Sequence, residues 1–120
     1  MIKTDAEIVA AYRSQFDAGG DSEHFWAWEA VNQRCDSLDD GTAITLQLIL
    51  AAEDEQYLAY VAAGPLEDLL KMHGSKAIAK FAKAGAKSGN VRRAMAGVWL
   101  RVSDQAYPDW RKLMNEWGFQ

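Results

Sequence analysis

The chain has a single cysteine, Cys35, in 120 residues, so no disulfide framework can form within it. Two prolines and nine glycines are too few for a low-complexity or collagen-like chain. No apolar run approaches the roughly 18 residues that a membrane span needs. The longest, Ala43 to Ala52, is broken by Thr45 and Gln47. The N-terminal stretch carries early acids and no continuous apolar segment, which argues against a signal peptide. A cytoplasmic protein without membrane contact is therefore expected. Strict alternation of apolar and polar residues never persists, so little or no β-sheet is expected. Gly-rich phosphate loops, HExxH, GxSxG and EF-hand patterns are all missing. Neither His24 nor His73 has a His or Cys three or four residues away, so metal-ligand spacing is absent. No catalytic, cofactor or metal residue is expected.

What remains is helical. Thr4 and Glu7 read as a capping box, followed by Ile8, Val9, Tyr12 and Phe16 on one face, with Gly19-Gly20 as the stop. Asp21 or Ser22 suits the cap of a second helix. On it Trp28, Val31 and Cys35 share a stripe, with Trp26 roughly opposite. A third helix is expected from Asp40-Gly41. Ile44, Leu46, Leu48, Ile49 and Leu50 surround it, which makes it the predicted centre of the core. After the acidic Glu53-Asp54-Glu55, a fourth helix carries Tyr57, Leu58, Tyr60 and Val61.

Gly64-Pro65 reads as a sharp junction, with Gly in the left-handed position and Pro opening the next helix. Leu66, Leu69, Leu70 and His73 then form one stripe until Gly74. Ser75 opens an amphipathic segment to about Ala86. Asn90 is expected to cap another, through Val91, Met95, Val98, Trp99 and Val102. A last helix starts at Pro108, with Trp110, Leu113, Met114 and Trp117 as its apolar stripe. The expected fold is all-α. It is a compact array of about seven short antiparallel helices, a bundle or short α-solenoid-like arrangement, in one domain over residues 1–120.

Charge is strongly segregated. Residues 1–68 hold three bases and fourteen acids, whereas residues 69–103 hold eight bases and no acid, within a net charge of −4. Lys76, Lys80, Lys83 and Lys87 fall on one side of a helix, with Ile78 and Phe81 opposite. Lys71, Arg92, Arg93 and Arg101 extend the positive segment. Such a run either solubilises a face, balanced by acids elsewhere, or meets an acidic partner, protein or nucleic acid. Phe81 and Trp99 read as core-facing, which leaves little aromatic interleaving for bases. Adjacent acids Glu67 and Asp68 point about 100° apart on a helix. They sit in its first turn, where the macrodipole favours acids, and Glu67 lies four residues before Lys71. A structural role is the expectation for both. His73 at the helix end suits a bond to the last carbonyls, and Cys35 reads as a buried, inert thiol.

Three strings together, Phe25-Trp26-Ala27-Trp28-Glu29, Gly64-Pro65-Leu66-Glu67-Asp68-Leu69-Leu70 with His73-Gly74, and Ala96-Gly97-Val98-Trp99, resemble an uncharacterised family of small bacterial domains with a Gly-Pro-Leu-Glu-Asp-Leu motif. The resemblance spans roughly Phe25 to Leu113. It implies an all-helical, cytosolic bacterial protein and carries no activity, so no catalytic residue transfers. The acid-free Lys76–Lys87 stripe departs from the mixed charge expected there, which implies a partner particular to this chain.

The function expected first is binding of another protein, of the immunity, antitoxin or adaptor kind. Contacts would come from Lys76, Lys80, Lys83, Lys87, Arg92 and Arg93, and from whichever of Trp26, Trp110 and Trp117 is exposed. Nucleic-acid binding through residues 71–101 is the alternative. A small enzyme using His73 with Glu67 or Asp68 comes last. The polarised charge also admits a homodimer.

Overall fold

In the computed structural model, residues 3–19 and 23–119 are described, and every regular element among them is helical. Helix α1 spans Asp5–Asp17, α2 Phe25–Arg34, α3 Leu38–Leu50, α4 Glu55–Val61, α5 Glu67–His73, α6 Ser75–Gly85, α7 Gly89–Ala96 and α8 Tyr107–Glu116. A kinked segment, Ala62–Leu66, joins α4 to α5 through a π-like turn interrupted at Gly64. Counted as one kinked run, α4 to α5 brings the array to the expected seven helical units.

Local signals set the boundaries. Thr4 Oγ1 accepts the Glu7 N–H at 3.1 Å while Glu7 Oε1 accepts the Thr4 N–H at 3.1 Å, the reciprocal cap that starts α1. The caps expected at Asp21 or Ser22, and Gly20 in the stop before them, lie outside the described residues. Ser37, not Asp40, starts α3, and its hydroxyl accepts the Asp40 N–H. Asp54 caps α4 by accepting the Tyr57 N–H at 2.8 Å. Ser88 caps α7 in place of Asn90. Asn90 instead donates its side-chain amide to the carbonyls of Ile49 and Ala52 at 3.1 and 3.3 Å, and so closes the end of α3.

The kink lies at the expected Gly64-Pro65 junction, but its backbone conformation differs from the one expected. Gly64 has φ −102° and ψ −107°, neither helical nor left-handed. Pro65 is buried inside the π turn, where its missing N–H leaves a longer loop of backbone to close. The positive-φ glycine of this region is Gly74, at φ 65°, which alone separates α5 from α6; Gly19 takes the same sign after α1.

Helix α3 lies at the centre, against α1, α2, α4, α5, α6, α7 and the π turn. Ile44, Leu48 and Ile49 are fully enclosed, whereas Leu50 is 61% exposed, so α3 is not covered all round. Gly41 permits a close backbone approach: a Cβ there would lie 2.7 Å from Leu69 Cδ2 and 2.8 Å from Cys35 Cα. Leu66, Leu69 and Leu70 have no exposure, each contributing on the order of 2 kcal/mol by burial. Asp5 holds three helices together, since its carboxylate pairs with Arg34 of α2 and accepts from Gln47 Nε2 of α3 at 2.8 Å. Tyr12, Phe16, Tyr57 and Tyr60 form an aromatic seam between α1 and α4, with neighbouring ring centroids 4.9 to 5.6 Å apart from Tyr12 through Tyr60 and Phe16 to Tyr57.

Two apolar stripes differ from expectation. On α2 the buried positions are Ala27 and Val31, continued by Cys35, while Trp28 is 40% exposed and stacks on Phe25. The small Ala27 faces inward because α2 packs closely on α1 and α3. Helix α7 ends at Ala96, and the chain leaves it with Val98 buried but Trp99 83% and Val102 79% exposed.

Candidate functional site: a lysine-edged groove between α3 and α6

The positive segment is divided by its surroundings. On α6, Ala77, Ile78 and Phe81 are buried, and Lys76, Lys80 and Lys83 are exposed on the other side, continued by Lys87. This is the amphipathic arrangement the spacing predicts. Lys80 Nζ pairs with Asp39 of α3 at 3.0 Å, so part of the charge is balanced across the fold. Among the described residues, Lys76, Lys83 and Lys87 make no ion pair. Arg92 is half-buried and donates to the Gly85 carbonyl, closing the C-terminal end of α6. Arg93 bonds to Asn90 Oδ1 on its own helix. Both guanidinium groups are therefore engaged within the fold.

Between α3 and α6 runs an open groove of about 400 Å³, lined by Thr42, Leu46, Lys80, Lys83, Ala84 and Lys87. Its floor is apolar, and three of the four stripe lysines stand along it. Thr42 is 7% exposed, and its Oγ1 is buried without a hydrogen-bond partner among the described residues. No aromatic ring lines the groove. Lys83 and Lys87 are the cations it leaves available.

The three tryptophans named as anchors are half-buried against the core. Trp26 lies under the Lys3 ammonium, 5.1 Å from its ring centroid. Trp110 Nε1–H donates to the Met95 carbonyl at 2.8 Å. Trp117 packs its ring against Gly85, where a Cβ would lie only 2.5 Å away. The exposed indoles are Trp28 and Trp99 instead. Trp99 continues an apolar spacing that points to the core, but the end of α7 before Gly97 leaves it outward.

The Gly64–Gly74 stretch is a clasp. Glu67 Oε1 accepts the Trp99 N–H at 2.7 Å, and its other oxygen lies 3.6 Å from Lys71 Nζ. His73 Nε2 donates to the Cys35 carbonyl at 2.8 Å, tying α5 to the end of α2. His73 and Glu67 thus engage different partners. Burial pushes the carboxyl of Asp68 upward, although the residue as a whole is exposed. Burial also pushes the Cys35 thiol up to about 11, which keeps it protonated and unreactive at neutral pH. Among the described residues no three His, Cys, Asp or Glu side chains are placed to hold a metal ion. No described helix is long and apolar enough to cross a membrane.

A family model, "Family of unknown function (DUF6869)", matches residues 14–117. No curated protein and no solved structure matches the chain.

Proposed function

The chain belongs to this family of unknown function, and we propose from its own surface that it is a small non-catalytic module binding an acidic protein through the lysine face of α6. The observation that carries this reading is the pairing state of that face. One lysine of four pairs with an acid of the fold, and the other three are exposed, Lys76 and Lys83 on α6 opposite its buried Ala77, Ile78 and Phe81, and Lys87 in the turn that follows. A basic face of this kind speeds encounter with a partner of opposite charge and fixes its orientation. The apolar groove beside it and the net charge of −4 favour a protein over nucleic acid, because no ring is present there on which a base can stack. Binding of the immunity, antitoxin or adaptor kind, in a bacterial cytoplasm, fits a module of this size.

Affinity purification from the native cell tests the reading. A stoichiometric acidic partner should co-elute with the native protein and be lost when Lys76, Lys83 and Lys87 are changed to Glu. It should persist when Arg111 and Lys112 on α8 are reversed instead. Absence of such a partner, or its retention by the lysine variant, overturns the proposal.

A further inference from the structure

We infer that the groove between α3 and α6 receives one face of an acidic amphipathic helix on the partner protein. Apolar side chains of that helix rest on Leu46 and Ala84, and its carboxylates meet Lys83 and Lys87. The inference rests on the proposed function and names its site and the partner's chemistry.

Three features of the groove select this occupant. Lys80 and Lys83 stand one turn apart on α6, and Lys87, in the turn just past its end, continues the row along the groove. A helix laid alongside repeats its own carboxylates at the same spacing, so several pairs form without distorting either backbone. Second, about 400 Å³ admits a few side chains and not a whole helix, which suits the inward-facing residues of an amphipathic stripe. Third, Lys80 is already held by Asp39, so an incoming acid is directed to the Lys83–Lys87 end.

The test uses three fluorescein-labelled probes and anisotropy at low salt, where surface charge is least screened. The first is a synthetic helical peptide of about four turns, with leucines on one face and glutamates flanking them. The second is its isomer of equal composition with the leucines scattered. The third is single-stranded oligothymidine. The amphipathic peptide should bind at least about tenfold more tightly than the scattered isomer. Ala84→Phe, whose ring fills the groove, and Leu46→Lys, which charges its floor, should each bring that ratio close to one. Lys83→Glu with Lys87→Glu should weaken both peptides. Thermal unfolding of each variant confirms that it is folded, and the two groove variants act by different means, so the outcome does not hang on one of them.

Equal binding of the two peptides, or a ratio that survives both groove variants, overturns the groove while leaving the lysine face as the docking surface. Tighter binding of oligothymidine than of either peptide overturns the proposed function with it. Self-association that competes with the peptide and disappears in Ala84→Phe assigns the groove to a second copy of the chain, which also overturns the inference.

Discussion

Glu67 accepts the backbone N–H of Trp99 at 2.7 Å, across 32 residues of sequence. The bond joins the first turn of α5 to the segment that leaves α7. It explains how a chain with its indole in water stays in place there: the backbone is held and the ring is not. Glu67→Ala should therefore destabilise the fold by about 1–2 kcal/mol, the usual range for a charged hydrogen bond at a half-covered site. Glu67→Gln keeps an acceptor and should recover most of the loss. Urea unfolding measures both, and hydrogen exchange at the Trp99 amide should speed up in the alanine variant alone.

The tryptophans should separate by role. Trp99→Ala removes a ring that is 83% exposed and should change stability by no more than about 0.5 kcal/mol. Trp110→Ala removes a half-buried ring and the bond to the Met95 carbonyl, and should cost about 2–3 kcal/mol. Equal effects in chemical denaturation would contradict the placement of the two side chains.

Gly41→Ala should be among the costliest small changes, at about 2–3 kcal/mol. Its methyl would meet the Cys35 backbone at 2.8 Å, and backbone cannot swing aside. The shift in urea midpoint relative to Gly97→Ala checks this, because the nearest atoms at Gly97 lie at 3.4 and 3.5 Å.

Acid should weaken the fold through two aspartates. Hydrogen bonds from Arg34 and then Gln47 lower Asp5, and the Tyr57 N–H followed by Arg13 lowers Asp54. Both bind protons less readily folded than unfolded. The stability they add is therefore present above the ordinary value of 3.8 and is lost as pH falls through their lower folded values. Asp68 has the opposite sign, because burial raises it and protonation relieves the folded state. Thermal melts across that range should flatten in Asp5→Asn and Asp54→Asn, while Asp68→Asn should not weaken the fold at neutral pH.

Cys35 should resist alkylation. Its thiol is buried and titrates at about 11, so thiolate is scarce and shielded at neutral pH. Iodoacetamide should label it at the rate of global or local opening, and quickly only in denaturant. Fast labelling of the native protein would show that α2 and α5 do not close over it.

Much of this fold was legible because its signals were local. The capping box at Thr4 and Glu7, the buried stripe of α6 opposite its lysines, and the Leu66, Leu69, Leu70 and His73 face all depend on spacing alone. The errors share a different cause. Val98, Trp99 and Val102 continue a helical spacing, but the helix stops where Gly97 turns the chain and distant Glu67 captures the next donor. On α2 the two large rings drew the apolar stripe toward Trp28, yet close packing on α1 and α3 selects Ala27. Asn90 looked like a cap, and its amide instead serves the far end of α3. The lysine stripe was legible, but the groove was not. Its other wall, Thr42 and Leu46, is supplied by a helix about forty residues earlier.

Gly74 gives the lysine face its heading. One positive-φ residue is all that lies between the anchored α5 and the lysine-bearing α6. Adding or removing a single residue in the first turn of α6 would rotate the side chains after it by about 100° and take Phe81 out of register with the core. The aim of the charged face is thus coupled to the integrity of the core, and the chain cannot redirect one without unmaking the other.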